Sequence, residues 1–265
     1  MDRDPGLFGP DSVAWRIHAD PVMLVGGLRA VLVQALEPRA MAAVDQHSAF
    51  REDPWGRLAR TGEFVAATTY GDTAAAEAAV ERVRRVHRRV RGVDPVTGRA
   101  YSADDPELLR WIHAVEVDSF LRAYRTYAAR LSDDDADRYV TEMARVAEML
   151  GLPAALAPRS VADLRAYLDG MTGLQVTPAA RDGLRVVLFP PMGLQYRPLW
   201  AIPTMAAVAL LPREVRRLYG IPWLPAAGLP VRAAVFTLSR ALTLARPEPP
   251  ALRAARARLA GRAAA

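Results

Sequence analysis

The sequence predicts an all-α protein, a single globular domain of roughly ten helices. Two observations predict this fold class. Apolar residues recur at helical spacing in segment after segment, and helix start and stop signals separate these segments. The sequence also lacks the sustained apolar/polar alternation of exposed strands, and the run VVLF at 186–189 is its only strand-like stretch.

The predicted helices begin and end at recognisable residues. Pro21 suits the first turn of a helix, and Pro38 disfavours helical geometry at Glu37. Ser132 and Ser160 have the form of N-caps, and each is followed three residues later by an aspartate. The predicted helices cover about 12–18, 21–36, 40–50, 57–71, 73–91, 106–131, 133–150, 161–170, 178–189, 198–211, 212–219 and 226–245.

The segment 73–91, TAAAEAAVERVRRVHRRVR, predicts one amphipathic helix that Thr73 caps and Gly92 ends, before a loop at 93–105. Its apolar stripe includes a histidine, and arginines lie one turn before it, beside it and one turn after it. The stripe is Ala76, Val80, Val83, His87 and Val90, and the arginines are Arg84, Arg88 and Arg91. A buried imidazole rimmed by guanidinium groups suits an anionic cofactor that needs a nitrogen ligand, such as haem. The alternative is a core histidine bonded to a carbonyl, on a helix whose other face is solvated.

Two other predicted helices carry candidate polar groups. Arg57, Arg60 and Thr61 share one face of the fourth helix, which is either a solvated face or part of a site. His113 and Glu116 lie one turn apart on the sixth helix. The carboxylate either orients the imidazole as a ligand or makes a plain buried hydrogen bond with it, and the plain bond is the favoured interpretation.

Two absences from the composition exclude whole classes of chemistry. The chain has no cysteine, which excludes disulfides, zinc–thiolate sites, iron–sulfur clusters, thiolate-ligated haem and covalently attached haem. All 35 basic residues are arginine, which excludes lysine Schiff bases and a phosphate loop with its lysine. A metal bound through nitrogen must therefore use one of the four histidines, His18, His47, His87 or His113.

The basic character of the chain does not predict a nucleic-acid partner. The net charge is +6, the isoelectric point is about 10.1, and six arginines lie within residues 82–91. However, that run lies on a helix with an apolar face, no aromatic residues are interleaved with it, and no nucleic-acid-binding motif is present.

The apolar runs are too short or too interrupted to cross a membrane. Arg29 interrupts 21–36 and Pro203 interrupts 200–211. No secretory signal is visible, so we expect a soluble, cytoplasmic protein with no transmembrane segment. We expect the domain to span residues 1–245 and the Pro/Arg/Ala tail 246–265 to be partly disordered.

Five segments in order carry a resemblance to a known family. They are QALEPRAMAAVDQHSAF, PWGRLARTGEFV, RVRRVHRRVRG, YSADDPELLRWIHAVEVDSFL and RPLWA…LLPREVRRLYGIPW. The set resembles the haem-b oxygenase family of the latex-clearing proteins (rubber oxygenases) and the fungal MpaB-type oxygenases. The likeness covers about residues 12–225.

The resemblance implies a globin-like, α-helical core that holds haem b. The histidine of the family's VRxxHxxVR segment, the proximal iron ligand, matches His87, and His113 is the rival ligand. Three arginines, Arg84, Arg88 and Arg91, are then expected to pair with the haem propionates.

The family's distal Arg-x-x-Lys-Thr element corresponds to Arg57, Arg60 and Thr61, so an arginine replaces the lysine that can ligate iron. A guanidinium stays protonated and is a poor ligand, so the iron is five-coordinate, water-bound or approached by His47. The resemblance places Arg57 and Thr61 beside the reacting oxygen. Glu37, in a segment where relatives more often have histidine, is the candidate for the glutamate base of latex-clearing proteins.

The activity that the resemblance implies is activation of dioxygen at ferrous haem and oxidative cleavage of a C=C bond. The expected partners are O2 and a small, hydrophobic, isoprenoid-like substrate. Two alternatives stay open: a haem protein that senses, carries or detoxifies without oxygenase turnover, and a cofactor-free helical binding module in which His87 is a core residue.

Overall fold

The computed structural model describes residues 4–222, 228–245 and 248–261. The all-α prediction is confirmed, since this part of the chain forms thirteen α-helices, two single-turn 3-10 helices and one two-stranded hairpin. In chain order the elements are α1 (Val13–His18), α2 (Met23–Gln34), α3 (Pro38–His47), α4 (Pro54–Tyr70), α5 (Thr73–His87), β1 (Arg91–Val93), β2 (Ala100–Ser102), α6 (Pro106–Tyr127), α7 (Asp133–Met149), α8 (Val161–Asp169), α9 (Pro178–Leu188), α10 (Arg197–Ala209), α11 (Arg213–Tyr219), α12 (Gly228–Ala245) and α13 (Pro250–Ala260). The predicted start of the helix 226–245 falls on residues 226–227, outside the described residues.

Local capping residues set most of the helix starts. Asp53, Asp105 and Thr177 each accept a hydrogen bond from a backbone N–H of the first turn and precede a proline at the first helical position. Ser132 and Ser160 cap α7 and α8 as the sequence predicts. These interactions span only three residues, so the sequence alone reveals them.

Helix α5 differs from its prediction at both ends. Asp72 is its N-cap, accepting from the N–H of Ala75 at 2.8 Å, because the backbone and hydroxyl of Thr73 donate to Asp4 instead. The helix ends at His87 rather than at 91, since the chain leaves it to enter β1.

The predicted loop 93–105 contains an antiparallel hairpin in which β1 pairs with β2, and Gly92 lies opposite Tyr101. The buried carboxylate of Asp94 organises the turn by accepting the N–H groups of Val96 and Thr97, both at 3.1 Å. Gly98, with φ of +70°, supplies the left-handed position. The first three residues of the strand-like run VVLF lie in α9. A four-residue apolar run does not by itself distinguish a strand from a buried helical turn.

Helices α2 and α6 form the centre of the core. Gly26 of α2 lies against Phe120 of α6 so closely that a β-carbon would come within 2.6 Å of the ring. The indole of Trp111 donates to the carbonyl of Gln34 at 3.1 Å, and the Gln34 amide donates back to the carbonyl of Ile112 at 2.9 Å. These contacts fix the register of the pair on which the other helices pack.

Part of the C-terminal tail is ordered against the domain. Residues 250–260 form α13, which packs against α4 and buries Leu252 and Ala255. Arg258 donates to the backbone carbonyl of Tyr70 at 2.9 Å. The tail residues 246–247 and 262–265 lie outside the described residues, and the domain boundary at 245 stays a prediction.

No helix in the described ranges is both long enough and apolar enough to cross a membrane.

Candidate functional site

Helices α4 and α5 form an antiparallel hairpin, and this hairpin brings the predicted site residues to one end. Gly71 and Asp72 connect the helices. Arg57 and His87 each lie about 20 Å along their helix from this connection, at 1.5 Å per residue. They are therefore level with each other at the open end of the hairpin.

Neighbouring elements converge on the same end. The guanidinium of Arg57 donates to the hydroxyl of Ser48, just after α3, at 2.6 Å. The adjacent His47 ring hydrogen-bonds the backbone carbonyl of Arg91 in β1 at 3.2 Å, and Arg91 pairs with Asp104 at 3.5 Å. The end of α3, the start of α4, the end of α5 and the hairpin thus meet around His87.

The imidazole of His87 is partly buried and makes no side-chain hydrogen bond within the described chain. Its Nδ1 is buried without a partner. Burial lowers the pKa of His87 below its ordinary 6.5, and the nearby Asp104 charge acts in the opposite direction. At neutral pH the ring therefore has a free lone pair, which a metal ligand requires.

The three arginines of the predicted propionate set are exposed. Arg88 pairs with Glu81 at 2.9 Å and Arg91 with Asp104, whereas Arg84 has no ion pair in the described ranges. The ring of guanidinium groups predicted around the imidazole therefore lies at the surface.

Arg57 and Arg60 lie in different environments. Arg57 is partly buried, and its pKa is lowered by burial and by the charge of Arg60. Arg60 is exposed and pairs with Asp53 at 3.3 Å. The Thr61 hydroxyl donates to the carbonyl of Arg57 at 3.0 Å, which leaves its lone pairs available as acceptors.

One side of α4 is open. That side of the helix carries four residues at helical spacing: Leu58, Gly62, Val65 and Thr69. Their exposure falls along the series, from 37% at Leu58 to the buried Thr69. A β-carbon placed on Gly62 would meet nothing within 4 Å. Gly62 is exposed, so that β-carbon would extend into open space, and alanine would be the better helix former at this position.

Two predicted residues lie away from this end. Glu37 is buried and caps α3, where its carboxylate accepts the Ala40 N–H at 2.6 Å and the Arg39 guanidinium at 2.9 Å. His113 is buried in α6, and burial lowers its pKa to about 4. The predicted hydrogen bond between His113 and Glu116 is wrong. The Nε2 atom of His113 has no partner, and no bond joins the two side chains in the described structure.

His18, for which the sequence predicts no specific role, lies in a buried polar cluster. Its Nδ1 hydrogen-bonds the Thr69 hydroxyl at 2.7 Å and its Nε2 the Tyr139 hydroxyl at 2.9 Å. Burial lowers the pKa of His18 to about 3, so the ring is neutral. The only signal in the sequence was that His18 is one of four histidines. Its partners lie 51 and 121 residues away, so no local spacing identifies them.

Two surface clefts lie elsewhere. One, of 480 Å³, lies between the end of α6 and α12 and includes Arg125 and Arg232. The other, of 580 Å³, lies beside α8 and includes Arg110 and Tyr167. Neither cleft includes His87 or Arg57. The candidate site is therefore the open end of the α4–α5 hairpin and not one of these clefts.

The family model described as "ER-bound oxygenase mpaB/B'/Rubber oxygenase, catalytic domain" matches residues 15–241. The chain belongs to this family. The match includes α4, α5 and α6, so every candidate residue lies inside the oxygenase catalytic domain. A search of curated proteins and a search of solved structures each gave no match.

Proposed function

We propose that this protein is a haem-b-dependent oxygenase that uses dioxygen to oxidise a small, hydrophobic, isoprenoid-like substrate, with cleavage of a C=C bond. The observation that carries the proposal is the His87 imidazole. It is neutral, has no hydrogen-bond partner, and lies at the open end of the α4–α5 hairpin in a chain of an oxygenase family.

The residues present fit a haem group. No cluster of three or more histidine or acidic side chains that could hold a metal ion is present in the described ranges, so a bare metal ion has no protein cage there. Haem carries its iron in a porphyrin, so the protein need supply as few as one side-chain ligand, and His87 would provide it. Asp104, whose charge reaches His87, is the carboxylate available to orient the ring.

The surroundings of His87 fit the remainder of such a group. The open space at Gly62 and the exposed apolar surface of Leu58 can cover a flat ring. Arg84, which has no ion pair in the described chain, is available for a propionate, and Arg88 and Arg91 are close to it in sequence.

When bound, haem would supply the redox chemistry that activates dioxygen. Arg57 would stabilise negative charge that develops on the reacting oxygen. It is partly buried, stays protonated, and is held in place by Ser48. Thr61 would position the same oxygen through its hydroxyl. Arg60 would act as a surface charge and Glu37 as a structural cap, so the catalytic role predicted for Glu37 stays a prediction.

Absorbance and oxygen consumption test the proposal together. Protein expressed with ample iron and porphyrin precursor should show a Soret band, and it should consume O2 when a polyunsaturated terpene is added. A Soret band without oxygen uptake would favour the haem sensor or carrier. A colourless preparation would leave the cofactor-free binding module.

Arg57→Ala should reduce oxygen uptake by roughly 10²- to 10³-fold, because it removes a preorganised charge from the reacting oxygen. The haem content should be retained. Arg60→Ala is the matched control on the same helix, and its effect should be small because the Arg60 side chain is exposed. Equal effects of the two substitutions on turnover would contradict the role of Arg57.

Gly62→Ala should stabilise the fold by about 1 kcal/mol, seen as a higher Tm, because alanine is the better helix former and has free space there. Gly62→Phe should fold equally well but retain much less haem, because its ring occupies the space beside α4. Normal haem content in the phenylalanine variant would show that the open side of α4 is not the cofactor site.

A further inference from the structure

Helix α12 has one side packed into the core and one side open to solvent. Val231 and Val235, one turn apart, pack into the core on the side that meets α10 and α6. The other side carries five exposed residues at helical spacing, which we call the α12 face: Leu229, Ala233, Phe236, Arg240 and Leu244. Its large apolar side chains are open to solvent, since Leu229 is 78%, Phe236 52% and Leu244 87% exposed.

The net charge of the chain is concentrated at this end of the sequence. Residues 228–265 contain seven arginines and one acidic residue, Glu248, and so carry a net charge of +6. Residues 1–227 contain 28 arginines and 28 acidic residues and so carry no net charge. The whole formal charge of +6 therefore lies from the start of α12 onward, and α12 itself contains two arginines and no acidic residue.

The cleft of 480 Å³ between α6 and α12 extends the α12 face toward the end of α6. It is lined by residues 125–130 and by three residues of the α12 face, together with Arg232. Arg125 pairs with Asp133 at 2.5 Å, whereas Arg130 and Arg232 have no ion pair in the described ranges. No acidic side chain is among the described residues that line the cleft. Unpaired guanidinium groups therefore lie beside exposed apolar side chains.

This combination of groups selects the partner. The surface of an anionic lipid bilayer offers phosphates to the arginines and hydrocarbon to the leucines and the phenylalanine. Arginine suits such a boundary, because its apolar stem can lie among the lipid chains while the guanidinium stays at the phosphates. A second copy of this chain fits less well, because two α12 faces in contact would bring arginines together without an acidic residue. A nucleic acid would leave the apolar side chains exposed.

We propose that α12 is a peripheral membrane-binding helix, which docks the domain on an anionic lipid bilayer through the α12 face and the adjacent arginines of the cleft. The helix lies parallel to the surface, because Val231 and Val235 on its other side are packed in the core. Leu229, Phe236 and Leu244 insert among the lipid chains to a depth of roughly 5–10 Å. Docking brings the domain to the phase in which apolar, isoprenoid-like compounds dissolve, but the inference does not depend on the proposed oxygenase function.

Sedimentation of the full chain with lipid vesicles tests the proposal. One set of vesicles is pure phosphatidylcholine, and the other contains roughly 30% phosphatidylglycerol. The protein should bind the anionic vesicles roughly 30-fold or more tightly than the neutral ones. Binding should weaken as the salt concentration rises from about 0.05 to 0.5 M, because salt screens the attraction between arginine and phosphate. The measurement requires neither haem nor turnover, so its result is independent of the oxygenase assay.

Two double variants separate the charged part of the surface from the apolar part. Arg232→Gln with Arg240→Gln should weaken binding to the anionic vesicles by roughly 10- to 30-fold. Leu229→Ser with Leu244→Ser should weaken it by roughly tenfold or more, because less hydrocarbon enters the bilayer. Both leucine side chains are mostly exposed, so the fold should be retained, and Tm of each variant checks this.

Arg82→Gln with Arg165→Gln is the matched control, because it removes the same net charge from exposed positions on α5 and α8. It should bind as the parent protein does. Equal losses in the control and in the α12 arginine variant would overturn the proposal, since only net charge would then matter. Unchanged binding in either α12 variant would also overturn it, as would equal affinity for neutral and anionic vesicles or no binding to either. A lipid-free dimer that dissociates in the leucine variant, measured by light scattering, would assign the α12 face to a second copy of the chain instead.

Discussion

Arg29→Met is expected to destabilise the fold by about 3–5 kcal/mol, because it leaves a buried carboxylate without its buried partner cation. Arg29 is 2% exposed in the centre of α2 and pairs with Asp118 of α6 at 2.8 Å. The same guanidinium donates to the Ser119 hydroxyl at 2.5 Å and to the carbonyl of Leu210 at 3.0 Å. Methionine fills a similar volume but satisfies none of these acceptors, and Tm should fall by roughly 10 °C.

Arg122→Met is the matched control, because Arg122 pairs with the same carboxylate at 2.7 Å from a half-exposed position. It should cost less than about 1 kcal/mol, since Asp118 keeps Arg29. Adding Asp118→Leu to Arg29→Met should recover part of the loss, because it removes the buried charge that Arg29 no longer balances. Equal losses in Arg29→Met and Arg122→Met, measured by urea unfolding, would show that the buried pair is not the dominant interaction.

His87→Ala is expected to weaken haem binding by roughly a hundredfold or more, about 3 kcal/mol, because it removes the imidazole that we propose holds the haem iron. The imidazole forms no side-chain hydrogen bond in the described chain, so its removal should change Tm of the haem-free protein little. Loss of the Soret band with an unchanged far-ultraviolet spectrum is the expected result. Added imidazole should restore part of the band by occupying the space left by the side chain.

His47→Ala and His113→Ala are the controls for the choice of ligand. His47 is exposed and bonded to the Arg91 carbonyl, so its removal should leave haem content unchanged. His113 is buried, so its removal should lower Tm through the cavity it leaves, with the Soret band retained. A Soret band that survives in His87→Ala and disappears in His113→Ala would transfer the ligand role to His113.

The sequence predicted the helices well because their signals are local. Asp105 and Ser132 bond to backbone groups two and three residues away, and apolar spacing identifies the buried face of each helix. The same reasoning failed at the end of α5, since Gly92 lies in β1 against Tyr101 rather than at a helix terminus. The partner that decides this position is nine residues further on and is recognisable only once the hairpin is formed.

The sequence by itself determined the all-α class, the helix starts and, through its ordered segments, the oxygenase family. It also singled out His87 and Arg57, because their spacing places each on a defined helix face. Only the tertiary structure decided that these residues lie level with each other at one end of the α4–α5 hairpin, that Glu37 is occupied as a cap, and that His18 bonds Tyr139. The physical reason is range: capping and periodicity act within a few residues, whereas burial and hydrogen bonding between distant side chains exist only once the helices have packed.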